Sequence, residues 1–297
     1  MISKAVLLAA GLGTRLVPYS KEMPKEMLPV FYGFNGKIYL KPVIQVAFEQ
    51  LYEAGIREFC FVVGRGKRAI EDHFTPDWGF VDYLEEAGKH EYAELLKNFY
   101  EKIEQSFIAW VNQPVPKGTG HAVYMAKGFA GDDFFLVAAA DNIFVGKNVP
   151  RSIIELFDRR TSPMITVRRV KDPSRYGVII GEKIEESLYR VKGIVEKPRE
   201  FISDLANVSL YVFPPEIFKA IEETKPSPRG EIEITDSIQL LVKSGVEFLA
   251  YESDADWLDV GNWESFLRAV IVSLKHHTGP SALRKILSEN LGIEEPI

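Results

Sequence analysis

An apolar run from Lys4 to Ala10 ends abruptly on Gly11-Leu-Gly-Thr-Arg15, and this junction limits what the chain can fold into. The run has the length of a buried strand. The glycines after it supply a loop whose backbone N–H groups can close on an anion. Pro42–Ala54 then carries Val43, Val46, Ala47 and Leu51 at helical spacing and stops at Gly55. Ile56–Val63 is a second dense strand, and a helix opens at Gly64-Arg-Gly-Lys67 and runs to about Phe74. Strand alternating with helix predicts an α/β fold: a Rossmann-like, mixed but mostly parallel sheet with helices on both faces.

Several stretches qualify that rhythm. The prolines of Pro24–Pro29 forbid a regular helix, and Phe31–Lys41 reads as an irregular link. Residues 75–107 form a long insertion whose Tyr83–Ile103 portion is amphipathic and helical, suited to a cap or subunit contact. Ile108–Asn112 and Phe134–Ala140 resume the sheet, with the loop Gln113–Gly120 and a helix His121–Phe129 between them. After a helix at Arg151–Arg160, strands at Met164–Val170, Tyr176–Ile180, Tyr189–Glu196 and Val208–Phe213 predict a mixed or antiparallel extension of the same sheet. Helices are expected at Pro215–Glu223 and at Thr235–Ser244, with Thr235 as N-cap. Strands Glu247–Tyr251 and Trp257–Val260 precede closing helices at Asn262–His276 and Ser281–Leu291.

Composition narrows the partners. A net charge of −6 argues against broad binding to nucleic acid or acidic membranes, though it leaves room for a small basic pocket. No apolar stretch reaches membrane-span length, and the Ala5–Ala10 run is too short for a signal peptide. The single cysteine, Cys60, lies among apolar neighbours, reads as a core thiol, and fits a reducing, cytoplasmic setting.

The glycine loop fails two familiar spacings. A dinucleotide fingerprint needs a third glycine where Leu16 stands, and Gly64-Arg-Gly-Lys-Arg68 lacks the spacing and the Ser or Thr of a P-loop. Taken alone the loop is also readable as a tight surface turn. Lys25, held between Pro24 and Pro29 shortly after Arg15, shifts the reading toward a nucleotide with several phosphates, because phosphoryl transfer depends on positioning and charge neutralisation. Asp141 follows one buried strand and Asp259 ends another. Either alone is a common turn residue; together they suit Mg²⁺, a hard ion that prefers oxygen ligands. His276 and His277, adjacent on a helix, are expected to diverge rather than share a metal, and Trp257, Trp263 and Phe266 read as core.

With these residues in place, the chain resembles the sugar-1-phosphate nucleotidyltransferases. The likeness rests on Leu8-Ala-Ala-Gly-Leu-Gly-Thr-Arg15 with Pro24-Lys-Glu-Met-Leu-Pro29, and continues through Gln113, Lys117-Gly-Thr-Gly-His-Ala122, Asp141, Tyr176-Gly177, Val195-Glu-Lys-Pro198, Glu231-Ile-Glu-Ile-Thr-Asp236 and Asp259-Val-Gly-Asn262. It spans nearly the whole chain and is most similar to the bacterial and archaeal uridylyltransferase branch. The resemblance implies transfer of a uridylyl group from UTP to glucose 1-phosphate, giving UDP-glucose and pyrophosphate with Mg²⁺. It implies catalytic roles for Arg15, Lys25 and Asp141, and nucleotide binding by Ala10, Gly11, Gly13, Thr14, Glu26, Gln113 and Gly118. Sugar-phosphate binding would fall to Gly177, Glu196, Lys197 and Asn207, and metal binding to Asp141 and Asp259. Read for themselves, Gln113 is also compatible with an ordinary loop and Glu196-Lys197 with a solvated strand end.

The expected organisation is one domain over 1–297: a nucleotide-binding half, 1–150, a sugar-phosphate half, 151–261, and closing helices 262–297. The insertion and those helices are expected to support a homodimer or homotetramer. Three positions depart from the usual pattern: Ala139-Ala140 and Asn142 around Asp141, Asn207 in place of an aliphatic residue, and Ser209 in place of glycine. These bear on sugar choice. The two pyrimidine triphosphates differ by a methyl and a hydroxyl, so use of dTTP is the first alternative. A non-catalytic sugar-nucleotide sensor and a nicotinamide oxidoreductase are the alternatives of other classes.

Overall fold

A computed structural model describes residues 2–291 of the chain. Its strands are β1 (Lys4–Ala9), β2 (Pro29–Phe34), β3 (Lys37–Pro42), β4 (Glu58–Val63), β5 (Phe107–Asn112), β6 (Phe135–Ala139) and β7 (Asn142–Val145). They continue with β8 (Met164–Arg169), β9 (Gly177–Glu185), β10 (Leu188–Glu196), β11 (Leu205–Phe213), β12 (Leu249–Glu252) and β13 (Asp256–Asp259).

Nine of these strands form one sheet in the order β5-β4-β1-β6-β11-β8-β12-β10-β9. β1, β4, β5 and β6 run parallel, as does the pair β8–β12. β11 is antiparallel to β6 and β8, and β10 is antiparallel to β9 and β12. The mixed sheet and its antiparallel extension are those expected.

Alternation along β1 explains its burial on both faces. Ala5, Leu7 and Ala9 join one core with Phe59 and Phe61, while Val6 and Ala10 join the other with Cys60 and Val62. Cys60 is fully buried, and burial pushes its thiol pKa up to about 12, so it is inert packing. The chain leaves β1 toward β4 and β5, then returns to β1's other side at β6. The carboxyl ends of β1 and β6 therefore flank a topological switch point, where open α/β sheets bind ligands.

Four local expectations need correction. Phe31–Lys41 is no irregular link but most of the β2–β3 hairpin, turned at Asn35-Gly36 with φ 47° and 74°. The helical portion of the insertion is two helices, Trp78–Glu86 and His90–Glu104, broken at Gly88 with φ 70°. Trp263 is 65% exposed, whereas Trp257 is buried and Phe266 packs on the core. The helix Trp263–Thr278 turns Phe266, Ala269 and Ser273 inward, which leaves Trp263, Leu267 and Ile271 at four-residue spacing on its outer side. The rings of His276 and His277 meet edge to face, with centroids 4.9 Å apart, because neighbours about 100° apart on a helix can still touch. Among the described residues, no helix is long and apolar enough to cross a membrane.

Candidate active site

A cavity of about 530 Å³ opens at the switch point. Ala10, Gly11, Gly13, Thr14, Lys25, Glu26, Gln113, Gly118 and Asp141 line one side of it, and Gly177, Glu196, Lys197 and Asn207 contribute to the other. Residues separated by almost 200 positions thus face one space. Arg15 and Asp259 lie outside this lining and beside each other: a Cβ on Gly261 would sit 2.9 Å from Arg15 Nη2 and 2.8 Å from Asp259 Oδ1.

The glycine loop makes its turn at Gly13, whose φ of 65° favours a residue without Cβ. Ser20 Oγ donates to the Gly13 carbonyl at 2.7 Å and holds that turn. The proline-bounded segment tightens into a 3₁₀ turn, Lys25–Met27, directly after Pro24, and Lys25 lies against the loop, its Cε 3.5 Å from where a Cβ on Gly11 would sit. Its ammonium bonds to Asp141 Oδ2, and both side chains are largely buried. Burial opposes that charge, but Asp141, then Glu26 and Asp259, outweigh it and hold the Lys25 pKa above the ordinary lysine value. Lys25 is therefore a fixed cation rather than a base. Glu26, expected at the nucleotide, is 1% exposed and accepts from Lys67 Nζ at 2.7 Å. Burial raises its pKa above the ordinary carboxylate value, and Lys25 and Lys67 offset this only in part.

Asp141 and Asp259 are brought together by a pairing that sequence patterning missed. β7 pairs antiparallel with β13, with Asn142 opposite Asp259. Burial first, and then the charge of Asp141, raise the Asp259 pKa, whereas a hydrogen bond from the Gly261 N–H at 2.6 Å favours its carboxylate. Two like charges held this close suit a shared divalent cation between hard oxygen donors. Among the described residues no group of three or more acidic, histidine or cysteine side chains is placed to hold a metal ion, so substrate oxygens or water would complete the coordination.

Gln113 is 5% exposed at the end of β5. Its Nε2 donates to the Gly118 carbonyl at 3.2 Å and lies 3.0 Å from His121 Nδ1. Because a carbonyl only accepts, this contact fixes the amide orientation and leaves Oε1 as the free acceptor. Burial, reinforced by Lys117, lowers the His121 pKa, which keeps Nδ1 available as an acceptor. Gly118, at φ 97°, has no room for a side chain: a Cβ would lie 2.6 Å from the Ile232 carbonyl oxygen.

The opposite wall is shaped by backbone. A Cβ on Gly177 would come within 2.6 Å of Thr235 Cγ2 and 3.1 Å of Glu196 Oε2. Lys197 has φ 45° and its Nζ reaches Glu196 Oε1 at 2.9 Å. Asn207 is buried; its Nδ2 donates to the Tyr211 hydroxyl, and its Oδ1 accepts from the Ser209 N–H at 2.8 Å. That turn puts Ser209 at φ 57° and forms a bulge in β11 against β8. Asn142 Nδ2 donates to the Val208 carbonyl at 3.2 Å, so two of the unusual residues brace the same bulge.

Thr235 corrects another expectation. Glu233 holds the N-cap position of the helix Ile234–Lys243 without a side-chain capping bond, and the Thr235 hydroxyl instead donates to Glu196 Oε2 at 3.1 Å. Thr235, Tyr211 and Glu233 also line the cavity and were not anticipated there. The alternation in Glu231-Ile-Glu-Ile-Thr235 was the available signal, since it puts the polar residues on one side. Burial, then Glu196, raises the Glu233 pKa; Lys197 and Arg229 oppose this.

The fold and this cavity define a nucleotide-transferring class, and the chain belongs to the Nucleotidyl transferase family, which it matches over residues 4–275. Among its relatives is the UTP–glucose-1-phosphate uridylyltransferase of Bacillus subtilis, 39% identical over 91% of this chain and 90% of that protein. A UTP-bound structure of the Acinetobacter baumannii enzyme described as UGPase superposes with a TM-score of 0.84 at 30% identity, covering 98% of this chain and 100% of the other. A UDP-glucose pyrophosphorylase complexed with UDP-glucose gives 0.80 at 33% identity, covering 93% and 99%.

Proposed function

We propose that this chain transfers a uridylyl group from UTP to glucose 1-phosphate, giving UDP-glucose and pyrophosphate. The observation carrying the proposal is the single cavity in which the glycine loop and Lys25–Asp141 face Glu196 and Lys197. In this reading both substrates share that space, and transfer needs no covalent intermediate. A phosphate oxygen of the sugar phosphate attacks the α-phosphorus in line with departing pyrophosphate.

In this reading, Gly11, Gly13 and Thr14 present backbone donors to the triphosphate, with Arg15 closing over it. Lys25 neutralises charge developing at the α-phosphoryl group, a role worth about 2–4 kcal/mol for one oriented donor. The backbone at Ala10 and Gly118 reads the base together with Gln113, whose free Oε1 suits the N3–H of uracil. Glu26 supports this side through its pairing with Lys67. On the other side Glu196 accepts from sugar hydroxyls, Lys197 holds the sugar phosphate, Gly177 lets backbone approach the ring, and Asn207 shapes the floor.

Asp141 and Asp259 would hold Mg²⁺. Bound there, the ion would neutralise phosphate oxygens and favour the departing pyrophosphate. The proposal also includes self-association into a homodimer or homotetramer, for which the exposed Trp263, Leu267 and Ile271 stripe is the natural surface. A reducing, cytoplasmic setting completes it.

The test is a panel of nucleoside triphosphates and sugar 1-phosphates with the purified protein and Mg²⁺, scored for pyrophosphate. UTP with glucose 1-phosphate is the pair expected to react fastest. Higher kcat/KM with dTTP would reassign the base. Silence with every pair would favour a non-catalytic sensor.

A further inference from the structure

The buried pair Lys67–Glu26 has a supporting place in the reading above, but its effect on Lys25 gives it a sharper one. Lys67 ends the Gly64-Arg-Gly-Lys loop after β4, at the entry to the short helix Arg68–His73, while Glu26 lies in the turn that carries Lys25. Their Nζ–Oε2 distance is 2.7 Å, with side chains 7% and 1% exposed. The loop packs closely on the end of β1, where a Cβ on Gly64 would lie 3.0 Å from the Ala10 carbonyl oxygen. Lys67 therefore has a fixed anchor from which to hold the Lys25 turn.

A buried ion pair is poor evidence of stabilisation in itself, since desolvation offsets much of the attraction. This pair sits beside a cation already shared among carboxylates. The Lys25 ammonium bonds to Asp141, and the charge of Glu26, the next residue in sequence, also attracts it. An unpaired Glu26 carboxylate would compete for that ammonium with Asp141 and with substrate phosphate. Lys67 removes the competition by satisfying Glu26 and cancelling its charge.

We propose that Lys67 is a positioning residue for nucleotidyl transfer: by neutralising Glu26 in the buried pair, it leaves the Lys25 ammonium to Asp141 and to the phosphate under attack. The proposal rests on the uridylyl-transfer reading and adds a residue that does not touch either substrate.

Two variants test it: Lys67→Gln, which removes the charge facing Glu26, and Lys67→Arg, which keeps it. Circular dichroism and a thermal melt establish the folded fraction before kinetics with UTP and glucose 1-phosphate. In Lys67→Gln, kcat should fall at least about tenfold, with KM for UTP changed less than about threefold. Lys67→Arg should stay within about threefold of the unaltered kcat, because the charge opposite Glu26 is retained. A folded Lys67→Gln protein with unchanged kcat would overturn the proposal, and so would a folded Lys67→Arg protein as slow as Lys67→Gln. A UTP KM raised about tenfold with kcat unchanged would mean that the pair serves nucleotide binding alone, which also overturns it. If Lys67→Gln does not fold, Lys67→Met is read by the same criteria, and failure of both to fold would make the pair structural and overturn the proposal. Inactivity of the unaltered protein would instead count against the underlying transfer reading.

Discussion

The two walls of the cavity are built by different means. The wall at the ends of β1, β5 and β6 carries preformed charge, Lys25 on Asp141, backed by Lys67 on Glu26 and by Arg15 beside Asp259 just outside the lining. The wall at β9, β10 and β11 carries shape. There Lys197 and Ser209 hold positive φ, Gly177 has no space for a Cβ, and Thr235–Glu196 and Asn207–Tyr211 are bonded side chain to side chain. Fixed charge matters most where charge develops during reaction, whereas shape and hydrogen bonds matter most for holding a substrate in its ground state. Deletions on the first wall should therefore depress turnover, and distortions on the second should weaken sugar-phosphate binding.

The largest effect is expected from Lys25→Ala. Removing the cation bonded to Asp141 should lower kcat about 10²–10³-fold while the sugar-phosphate KM moves less than about threefold. Steady-state kinetics with each substrate varied would show the split, and a KM effect equal to the kcat effect would erase the contrast between walls. Because the Lys25 pKa is held above 10.5, no loss of turnover from its deprotonation is expected up to about pH 10.

Asp259→Asn comes next. It removes half of the carboxylate pair, and the divalent cation concentration for half-maximal rate should rise about 10–100-fold. Titrating Mg²⁺ into the variant measures this directly. An unchanged requirement would remove Asp259 from the metal.

On the shaped wall, Gly177→Ala places a methyl against Thr235 and Glu196. Glucose 1-phosphate KM should rise about tenfold, and stability should fall by about 1–3 kcal/mol from overpacking. Initial rates and chemical denaturation report the two quantities. Thr235→Val is the mildest test: it deletes only the donor to Glu196, about 1 kcal/mol, and should raise sugar-phosphate KM about fivefold. A kcat loss exceeding the KM change in these variants would blur the distinction between the walls.

The same contrast explains what the sequence made legible. The charged wall was readable because its glycines, Lys25 and Asp141 lie in contiguous motifs at strand ends, where local chemistry announces a phosphate. The shaped wall was readable only in part. Gly177 and Glu196-Lys197 were anticipated, but Thr235 was read as a helix cap because a hydroxyl beside a helix start is locally ambiguous. Its partner Glu196 is 39 residues distant, and no short-range pattern joins them. The meeting of Asp141 with Asp259 depends on the four-residue β7 pairing with β13, a contact between segments too short to show periodicity.

Other misses had a usable signal. Asn35-Gly36 between alternating residues is a hairpin mark, and both positions take the positive φ that such a turn requires. For Trp263, helical phase outweighs aromatic character: four residues lead to Leu267 and four more to Ile271, which puts it on the outer stripe.

The claim on which both walls depend is that the two substrates react directly inside one cavity. The stereochemical course at the α-phosphorus tests it. UTP bearing a chiral α-thiophosphate, reacted with glucose 1-phosphate, should give the UDP-glucose analogue that keeps sulfur on the uridine-linked phosphorus, with inverted configuration there, the result of one in-line displacement. Retained configuration would mean two displacements through a nucleotidylated enzyme, and would contradict the account.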